Sequence, residues 1–141
     1  MLKTVDVSVR HLWSVAVLTL SGDVTGQATH DLTEAYDIAV AMGPDALLLD
    51  FAEVEYINST GIAVLVSLLA RARRKGRRMA ACGLTPHYRE VFAVTRLADY
   101  IEVFDDEQQA LHGLGGSSAG ADAERQPDPN ASGDAQAGGA P

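Results

Sequence analysis

The residues that stand out chemically in this sequence are consecutive: Asn58, Ser59, Thr60 and Gly61. An apolar strand pattern ends just before them, and an apolar helix pattern, residues 62–69, begins directly after them. The N-terminus of a helix presents unpaired N–H groups and about half a positive charge, so it accommodates an anion. A phosphate on Ser59 is therefore compatible with the fold, and this position predicts a switch.

The same residue types also have a purely structural role, and that alternative stays open. Asn, Ser and Thr are favoured at helix N-caps, where one of them contributes about 1 kcal/mol. For Thr60 a hydrogen bond in the first turn of the helix is the favoured role, and the alternative is that Thr60 is a secondary site of phosphorylation. Gly61 carries no side chain, so the backbone of a partner or a nucleotide can approach closely.

Two apolar residues of the following helix, Val64 and Leu68, are one turn apart. They are candidates for a partner-facing apolar strip that leads away from Ser59. The alternative is that the domain itself covers them. The best-buried face of this helix is expected to comprise Ile62, Leu65, Val66, Leu69 and Ala72.

The pattern along the chain predicts the elements that hold this junction. Residues 5–9 alternate as in a half-buried strand, residues 13–20 form a second strand, and residues 21–23 form a turn. A helix with its apolar face at Leu32, Ala35, Tyr36, Ala39 and Val40 ends at Gly43-Pro44. The continuous apolar run 46–51 is typical of a strand that is covered on both faces.

After the central helix, residues 79–84 predict a further strand. Thr85 followed by Pro86 predicts a helix start, with Thr85 as the cap. Ile101 and Val103 indicate a last short strand, and Asp105 with Gln108 predicts the start of a final helix. The alternating order predicts one α/β domain: a mixed, mostly parallel sheet of about five strands, opened by an antiparallel hairpin, with about four helices.

Composition limits the function classes. The net charge of −8 argues against nucleic acid as a direct ligand, which requires a basic footprint. No stretch approaches the ~20 apolar residues of a membrane span, and no secretory signal is recognisable at the start. We therefore expect a cytoplasmic protein. Residues 115–141 contain none of the large apolar residue types, which predicts a disordered tail after a domain at 1–114.

No pattern in the sequence predicts catalysis. There is no nucleophile elbow and no phosphate-binding loop, the four histidines show no metal-ligand spacing, and Cys82 is expected to be a small buried residue. We therefore expect neither an enzyme nor a cofactor or metal. Six cations cluster at the end of the central helix, where they complement its dipole. The alternative is that they meet an anionic partner surface or a lipid headgroup: Arg71, Arg73, Arg74, Lys75, Arg77 and Arg78.

Residues 49–65 resemble the central motif of the anti-sigma factor antagonists, the STAS-domain family. The likeness covers most of residues 5–112 and includes four further segments in order: Leu20-Ser21-Gly22-Asp23, Gly83-Leu84-Thr85-Pro86, Val94-Thr95-Arg96-Leu97 and Ile101-Glu102-Val103-Phe104. The family commonly has an acid before the acceptor serine, where this chain has Asn58. A second acid, common in members that bind the kinase, is replaced by Thr25.

The resemblance implies a function. In that family the first hydroxyl residue of the motif, here Ser59, is phosphorylated by a partner that is both a serine kinase and an anti-sigma factor. The unmodified protein binds this partner and frees a sigma factor, and a serine phosphatase restores it after phosphorylation. The implied partner-binding residues are Asp23, Thr25, Asn58, Ser59, Thr60, Gly61, Val64 and Leu68. The alternative is a STAS subunit, not phosphorylated, of a stress-signalling scaffold or a phospholipid-transport complex.

Overall fold

The computed structural model of this chain describes residues 5–115. Within them, five strands form one sheet in the spatial order β1-β2-β3-β4-β5. The strands are β1 (Asp6–Leu12), β2 (Val15–Val24), β3 (Ala46–Ile57), β4 (Arg78–Cys82) and β5 (Glu102–Phe104). β1 and β2 form an antiparallel hairpin, whereas the other neighbouring strands are parallel.

Helices connect the parallel strands. They are α1 (Thr29–Ala41), α2 (Ser59–Arg74) and α3 (Pro86–Val94), and α4 (Glu107–Gly113) follows β5. This arrangement confirms the predicted α/β class with a hairpin and a mostly parallel sheet. No helix of the described residues is both long and apolar enough to cross a membrane.

The chain divides into two units after Ala110. The first, residues 1–110, contains the sheet and the helices α1 to α3. The second begins at Leu111, and its described part, residues 111–115, starts with the end of α4. The predicted tail lies outside the described residues from position 116 onward, so the proposed domain boundary at 114 stays a prediction. Residues 1–4 also lie outside the described range, so the start of the predicted domain at residue 1 stays a prediction as well.

The main core cluster joins the sheet to α1, α2 and α3. Alternate positions of β2 and β3 contribute to it, because successive side chains of a strand point to opposite faces. The members from these two strands include Ala16, Leu18, Leu20, Leu47, Leu49 and Phe51. On α3, Phe92 is fully buried, and its ring lies nearly perpendicular to that of Phe51 at a centroid distance of 5.9 Å.

Cys82 ends β4 and is buried, as expected from the sequence. Burial raises the pKa of its thiol to about 12, and the nearby carboxylate of Asp50 acts in the same direction. The thiol is therefore held in its neutral form.

Three local predictions were wrong. Residues 21–23 form no turn, because β2 continues to Val24 beside the long β3. The pairing shifts register between Thr19 and Ser21 and again between Gly22 and Asp23, and Gly22 has a φ of 100°, which suits a bulge. Trp13 belongs to the turn between β1 and β2 and not to β2. Asp106, not Asp105, receives the N–H of Gln109 at the start of α4.

A fourth difference concerns the buried face of α2. Its buried residues are Gly61, Val64, Leu65, Leu68, Leu69 and Ala72. Of the predicted face, Val66 is 46% exposed and Ile62 is only half-buried. The helix is thus rotated relative to the prediction, and Val64 and Leu68 take the core positions that Ile62 and Val66 were expected to fill.

Candidate functional site

Asn58 holds the start of α2. It has an extended backbone, and its side-chain oxygen accepts the N–H of Gly61 at 2.8 Å. The same oxygen accepts the hydroxyl of Thr60 at 2.8 Å. Asn58 is therefore an N-cap in the usual sense, since it satisfies one of the helix N–H groups that lack an intrahelical partner. The structural role that the sequence left open is real for Asn58.

The hydroxyl of Thr60 is also engaged inside the protein. Its Oγ1 accepts the N–H of Gly26 at 3.0 Å, in addition to donating to Asn58. The bond to Gly26 joins the start of α2 to the loop that follows β2, and the bond to Asn58 lies within the first turn of α2. The favoured structural role of Thr60 is thus supported, because a hydroxyl that both donates and accepts internally is less available to a kinase.

Gly61 marks the closest approach between the two segments. A Cβ at this position would lie 2.0 Å from the carbonyl oxygen of Val24, well inside any allowed contact. The same carbonyl accepts the N–H of Asn58 at 3.2 Å. Gly61 is buried, so it serves the packing of α2 against β2 and leaves no open space there for a partner or a nucleotide. That part of the expectation is wrong.

Ser59 differs from its neighbours. It is the first residue of α2 and is exposed. Within residues 5–115, its hydroxyl takes part in no hydrogen bond, whereas Thr60 and Asn58 are both engaged. The first turn of α2 contains no acidic residue that would repel an added phosphate. Ser59 therefore combines an accessible hydroxyl with the positive end of a helix of 16 residues.

The end of β2 brings Asp23 and Thr25 to the same end of the sheet. Asp23 pairs with Tyr56 in the sheet, and Val24 pairs with Ile57, the residue before Asn58. Thr25 caps the short 3-10 turn Gly26–Ala28 by accepting the N–H of Gln27 at 3.2 Å. Both Asp23 and Thr25 are half-buried.

Val64 and Leu68 do not form a surface strip. Val64 is 8% exposed and Leu68 is 1% exposed, and both belong to the core cluster. The structure thus contradicts the interpretation of these two residues as partner-facing and supports the alternative that the domain covers them. The physical reason is the rotation of α2, which turns them toward α1 and the sheet.

The structure adds residues to this site that sequence reasoning missed. The hydroxyl of Tyr88 on α3 accepts the N–H of Ile57 at 3.0 Å, at the last residue of β3. Tyr56, adjacent in sequence to Ile57, is exposed. The contributions of Tyr88 and Gly26 depend on contacts far apart in sequence, so no local signal could have identified them. The exposure of Tyr56 does not follow from strand alternation, because Val54, two residues earlier in β3, is buried.

One group of possible metal ligands lies elsewhere on the surface. The ligand atoms of His30, Asp31 and Glu34 all lie within 4.8 Å of one another at the start of α1. His30 and Glu34 are neighbours by their i, i+4 spacing, 3.7 Å apart, and both are exposed. Helical spacing alone accounts for this cluster, so it identifies no metal centre.

The geometry described above agrees with a comparison to known families. The family model described as "Mlab, STAS domain" matches residues 7–104, more than half of the chain. This chain belongs to the STAS-domain family. The predicted family and fold are thereby confirmed.

Relatives of this STAS chain carry related names. An anti-sigma-B factor antagonist from Listeria monocytogenes is 26% identical over 84 residues, which cover 60% of this chain and 74% of the relative. A crystal structure of an anti-sigma factor antagonist from Mycobacterium paratuberculosis has a TM-score of 0.69 at 22% identity, and the match covers 78% of this chain and 93% of that one. The Bacillus cell fate determinant SpoIIAA in its phosphorylated form has a TM-score of 0.61 at 15% identity, with coverage of 77% and 99%.

Proposed function

We propose that this STAS chain is an anti-sigma factor antagonist that is switched by phosphorylation of Ser59. In its unmodified form it binds an anti-sigma factor with serine kinase activity, and the bound sigma factor is released. The kinase then modifies Ser59 and the complex dissociates, and a serine phosphatase resets the protein. These events take place in the cytoplasm, and the chain acts as a binding module and not as an enzyme.

The observation that carries this proposal is the state of the Ser59 hydroxyl. It is exposed and unengaged at the start of α2, while the hydroxyl of Thr60 is bonded on both sides. A kinase needs an accessible hydroxyl, and Ser59 provides one. The names of the Listeria and Mycobacterium relatives support the same function.

The switch acts through charge on a fold that does not change. A phosphate adds about −1.5 to −2 charges at pH 7. At Ser59 this charge faces the positive end of α2, so the domain tolerates it. In a contact surface the same charge opposes a like-charged or apolar partner, and such mismatches cost several kcal/mol. The partner-binding surface consists of Asp23, Thr25, Asn58, Ser59 and Thr60, together with the exposed Tyr56.

The test combines a chemical and a binding measurement. The full chain is incubated with ATP and a candidate anti-sigma factor kinase from the same organism, its intact mass is measured, and the modified residue is mapped. We expect one added phosphate on Ser59. Ser59→Asp places a negative charge in the contact surface. We expect this charge to weaken binding to that kinase by about tenfold or more, which corresponds to a cost of at least about 1.4 kcal/mol. Ser59→Ala should keep binding and accept no phosphate.

A matched control exists on the same helix. Ser67 is exposed and two turns further along α2, where its hydroxyl donates to the carbonyl of Val64 at 2.8 Å. Ser67→Asp should leave the affinity for the kinase unchanged. Equal affinities of Ser59→Ala and Ser59→Asp for the kinase would remove the switch from the proposal.

The second candidate is a STAS subunit that is not phosphorylated, within a stress-signalling scaffold or a phospholipid-transport complex. The observation that supports this second candidate is the description of the matching family model, which names Mlab. In that case the same exposed surface around Ser59 contacts a fellow subunit. Genomic neighbours separate the two candidates: a serine kinase and a phosphatase for the first, transporter subunits for the second.

A further inference from the structure

The two ends of the sheet differ in their chemistry. β2, β3, β4 and β5 run parallel, so all four begin at one end, and α1, α2 and α3 end there because they return the chain to the next strand. Ser59 lies at the opposite end, after the last residue of β3. We call the other end the amino-end face and define it by its accessible side chains: Trp13, Met42, Arg74, Lys75, Arg77 and Tyr100.

Contacts between neighbouring loops make this face one continuous surface. Three hydrogen bonds join the β1–β2 turn, the α1–β3 loop and the α2–β4 loop: Asp45 N–H to the Ser14 carbonyl (2.8 Å), Arg78 N–H to the Asp45 carbonyl (3.3 Å) and Arg77 Nε–H to the Pro44 carbonyl (3.3 Å). In addition, the guanidinium of Arg73 lies over the ring of Tyr100 at 4.8 Å, which links α2 to the segment before β5.

Large apolar and aromatic side chains are exposed here. Trp13 is 65% exposed, Tyr100 is 55% exposed and Met42 is 47% exposed. Trp13 stands in the two-residue turn of the hairpin with a φ of 55°, a conformation that is uncommon for a bulky residue. A bulky residue kept in such a conformation is a reason to look for a functional contact.

The amino-end face is also positively charged. Within residues 5–115, Arg74, Lys75 and Arg77 form no ion pair with a carboxylate. Two acids at this end of the sheet form ion pairs with other cations: Glu102 with Arg78 and Asp99 with Arg96. A third acid, Asp45, is exposed. A chain with a net charge of −8 therefore carries a locally positive surface with aromatic groups at its edge.

We infer that the amino-end face binds anionic phospholipid headgroups at a membrane surface. Tryptophan prefers the boundary between water and lipid, since its ring is apolar and its N–H needs a polar partner. Lysine and arginine near that boundary attract anionic headgroups. Trp13 and Met42 enter the interfacial region, and Arg74, Lys75 and Arg77 meet the lipid phosphates. This is surface binding and needs no spanning helix.

The acidic remainder of the domain does not prevent this contact. β3 has 12 residues, so the two ends of the sheet are roughly 40 Å apart at about 3.3 Å per residue. The Debye length is about 10 Å at an ionic strength of about 0.1 M, so acids at the far end of the sheet, such as Glu55, are screened from the lipid. The exposed Asp45 lies among the cations of the amino-end face and offsets part of their charge. The inference is independent of what binds at Ser59.

The sequence itself supplies the probe, because Trp13 is the only tryptophan of the chain. The full chain is titrated with vesicles made of equal parts phosphatidylglycerol and phosphatidylcholine, and tryptophan emission and co-sedimentation are recorded. We expect a blue shift of the emission and sedimentation with these vesicles, but neither with vesicles of phosphatidylcholine alone. Lys75→Gln combined with Arg77→Gln should reduce the lipid partition coefficient by about tenfold or more.

Two further variants make the result specific. Trp13→Gly suits the positive φ of the turn and should weaken co-sedimentation while keeping the fold. Arg89→Gln removes a cation next to Asp105, away from this face, and should leave lipid binding unchanged. An emission maximum that does not move with anionic vesicles would overturn the inference. Binding to poly-glutamate without binding to vesicles would instead identify a protein-docking surface, and the lipid assignment would be wrong.

Discussion

At the scale of single residues, the site depends on how one oxygen atom is shared. The Asn58 oxygen accepts both the Gly61 N–H and the Thr60 hydroxyl. An aspartate at position 58 would accept the same two bonds and add a charge. Asn58 therefore keeps the capping function of the acidic residue that is common at this position in the family. It also removes one negative charge beside Ser59.

Replacement of Gly61 tests the close contact between α2 and β2. In Gly61→Ala the new Cβ would meet the Val24 carbonyl at 2.0 Å, and both groups belong to rigid elements. We expect the free energy of unfolding to fall by about 3 kcal/mol, the upper part of the range for overpacking. Urea unfolding measures it. Ser59→Ala, two residues earlier and exposed, should change the same quantity by less than about 0.5 kcal/mol, and an equal loss in both variants would contradict the contact.

Cys82 makes a prediction about alkaline pH. The pKa of the thiol in the folded protein is about 12, above the ordinary value of 9.0. The contribution of the protonated thiol to the free energy of unfolding is therefore fully present below pH 9.0 and falls as the pH rises toward 12. Over this window the contribution falls by about 1.4 kcal/mol per pH unit. Denaturant unfolding of the wild type and of Cys82→Ala should show a stability difference that shrinks with rising pH. A difference that stays constant would mean that the thiol ionises as freely in the folded state as in the unfolded state.

At the scale of elements, two substitutions on α2 test which face of this helix is buried. Leu68→Ala should lower the free energy of unfolding by about 2–5 kcal/mol, because the side chain is fully enclosed. Val66→Ala, half a turn away and 46% exposed, should change it by less than about 0.5 kcal/mol. Chemical denaturation of the two variants gives both values. A larger loss for Val66→Ala would restore the helix orientation that the sequence predicted.

Several elements were predictable because their signals are local. Thr85 caps α3 by accepting the N–H of Tyr88 at 3.3 Å, with Pro86 in the first turn, as these residue types indicate. The order of strands and helices followed from apolar periodicity. The orientation of α2 did not, because apolar residues occupy nearly every side of this helix and the sequence alone cannot choose among them.

The candidate site divides in the same way. The position of Ser59 at the start of α2 was predictable from neighbouring residues, and its exposure now supports the prediction. The extension of β2 to Val24 depends on pairing with β3, more than 30 residues later in the chain. The bonds from Gly26 to Thr60 and from Ile57 to Tyr88 arise only after these elements pack, so no local pattern could reveal them.

At the scale of the whole molecule, the composition of the final segment gives a prediction of its own. Residues 116–141 contain no large apolar residue and cannot bury much apolar surface. Removal of these residues should leave the thermal midpoint within about 2 °C of the full chain, since a loss of 1 kcal/mol in a domain of this size would shift it by about 4–8 °C. Differential scanning calorimetry of both forms provides the test. A fall of several degrees would show that the segment contributes to the folded state.

The length of β3 has a consequence for how such a protein could be used. Its 12 residues hold Ser59 and Trp13 at opposite ends of the sheet, so contact at one end leaves the other end free. A chain tethered to a membrane through its hairpin tip would keep Ser59 pointed away from that membrane and accessible. If Ser59 is phosphorylated as proposed, an enzyme bound to the same membrane would reach this hydroxyl by diffusion in two dimensions, whereas an enzyme in solution would reach it in three.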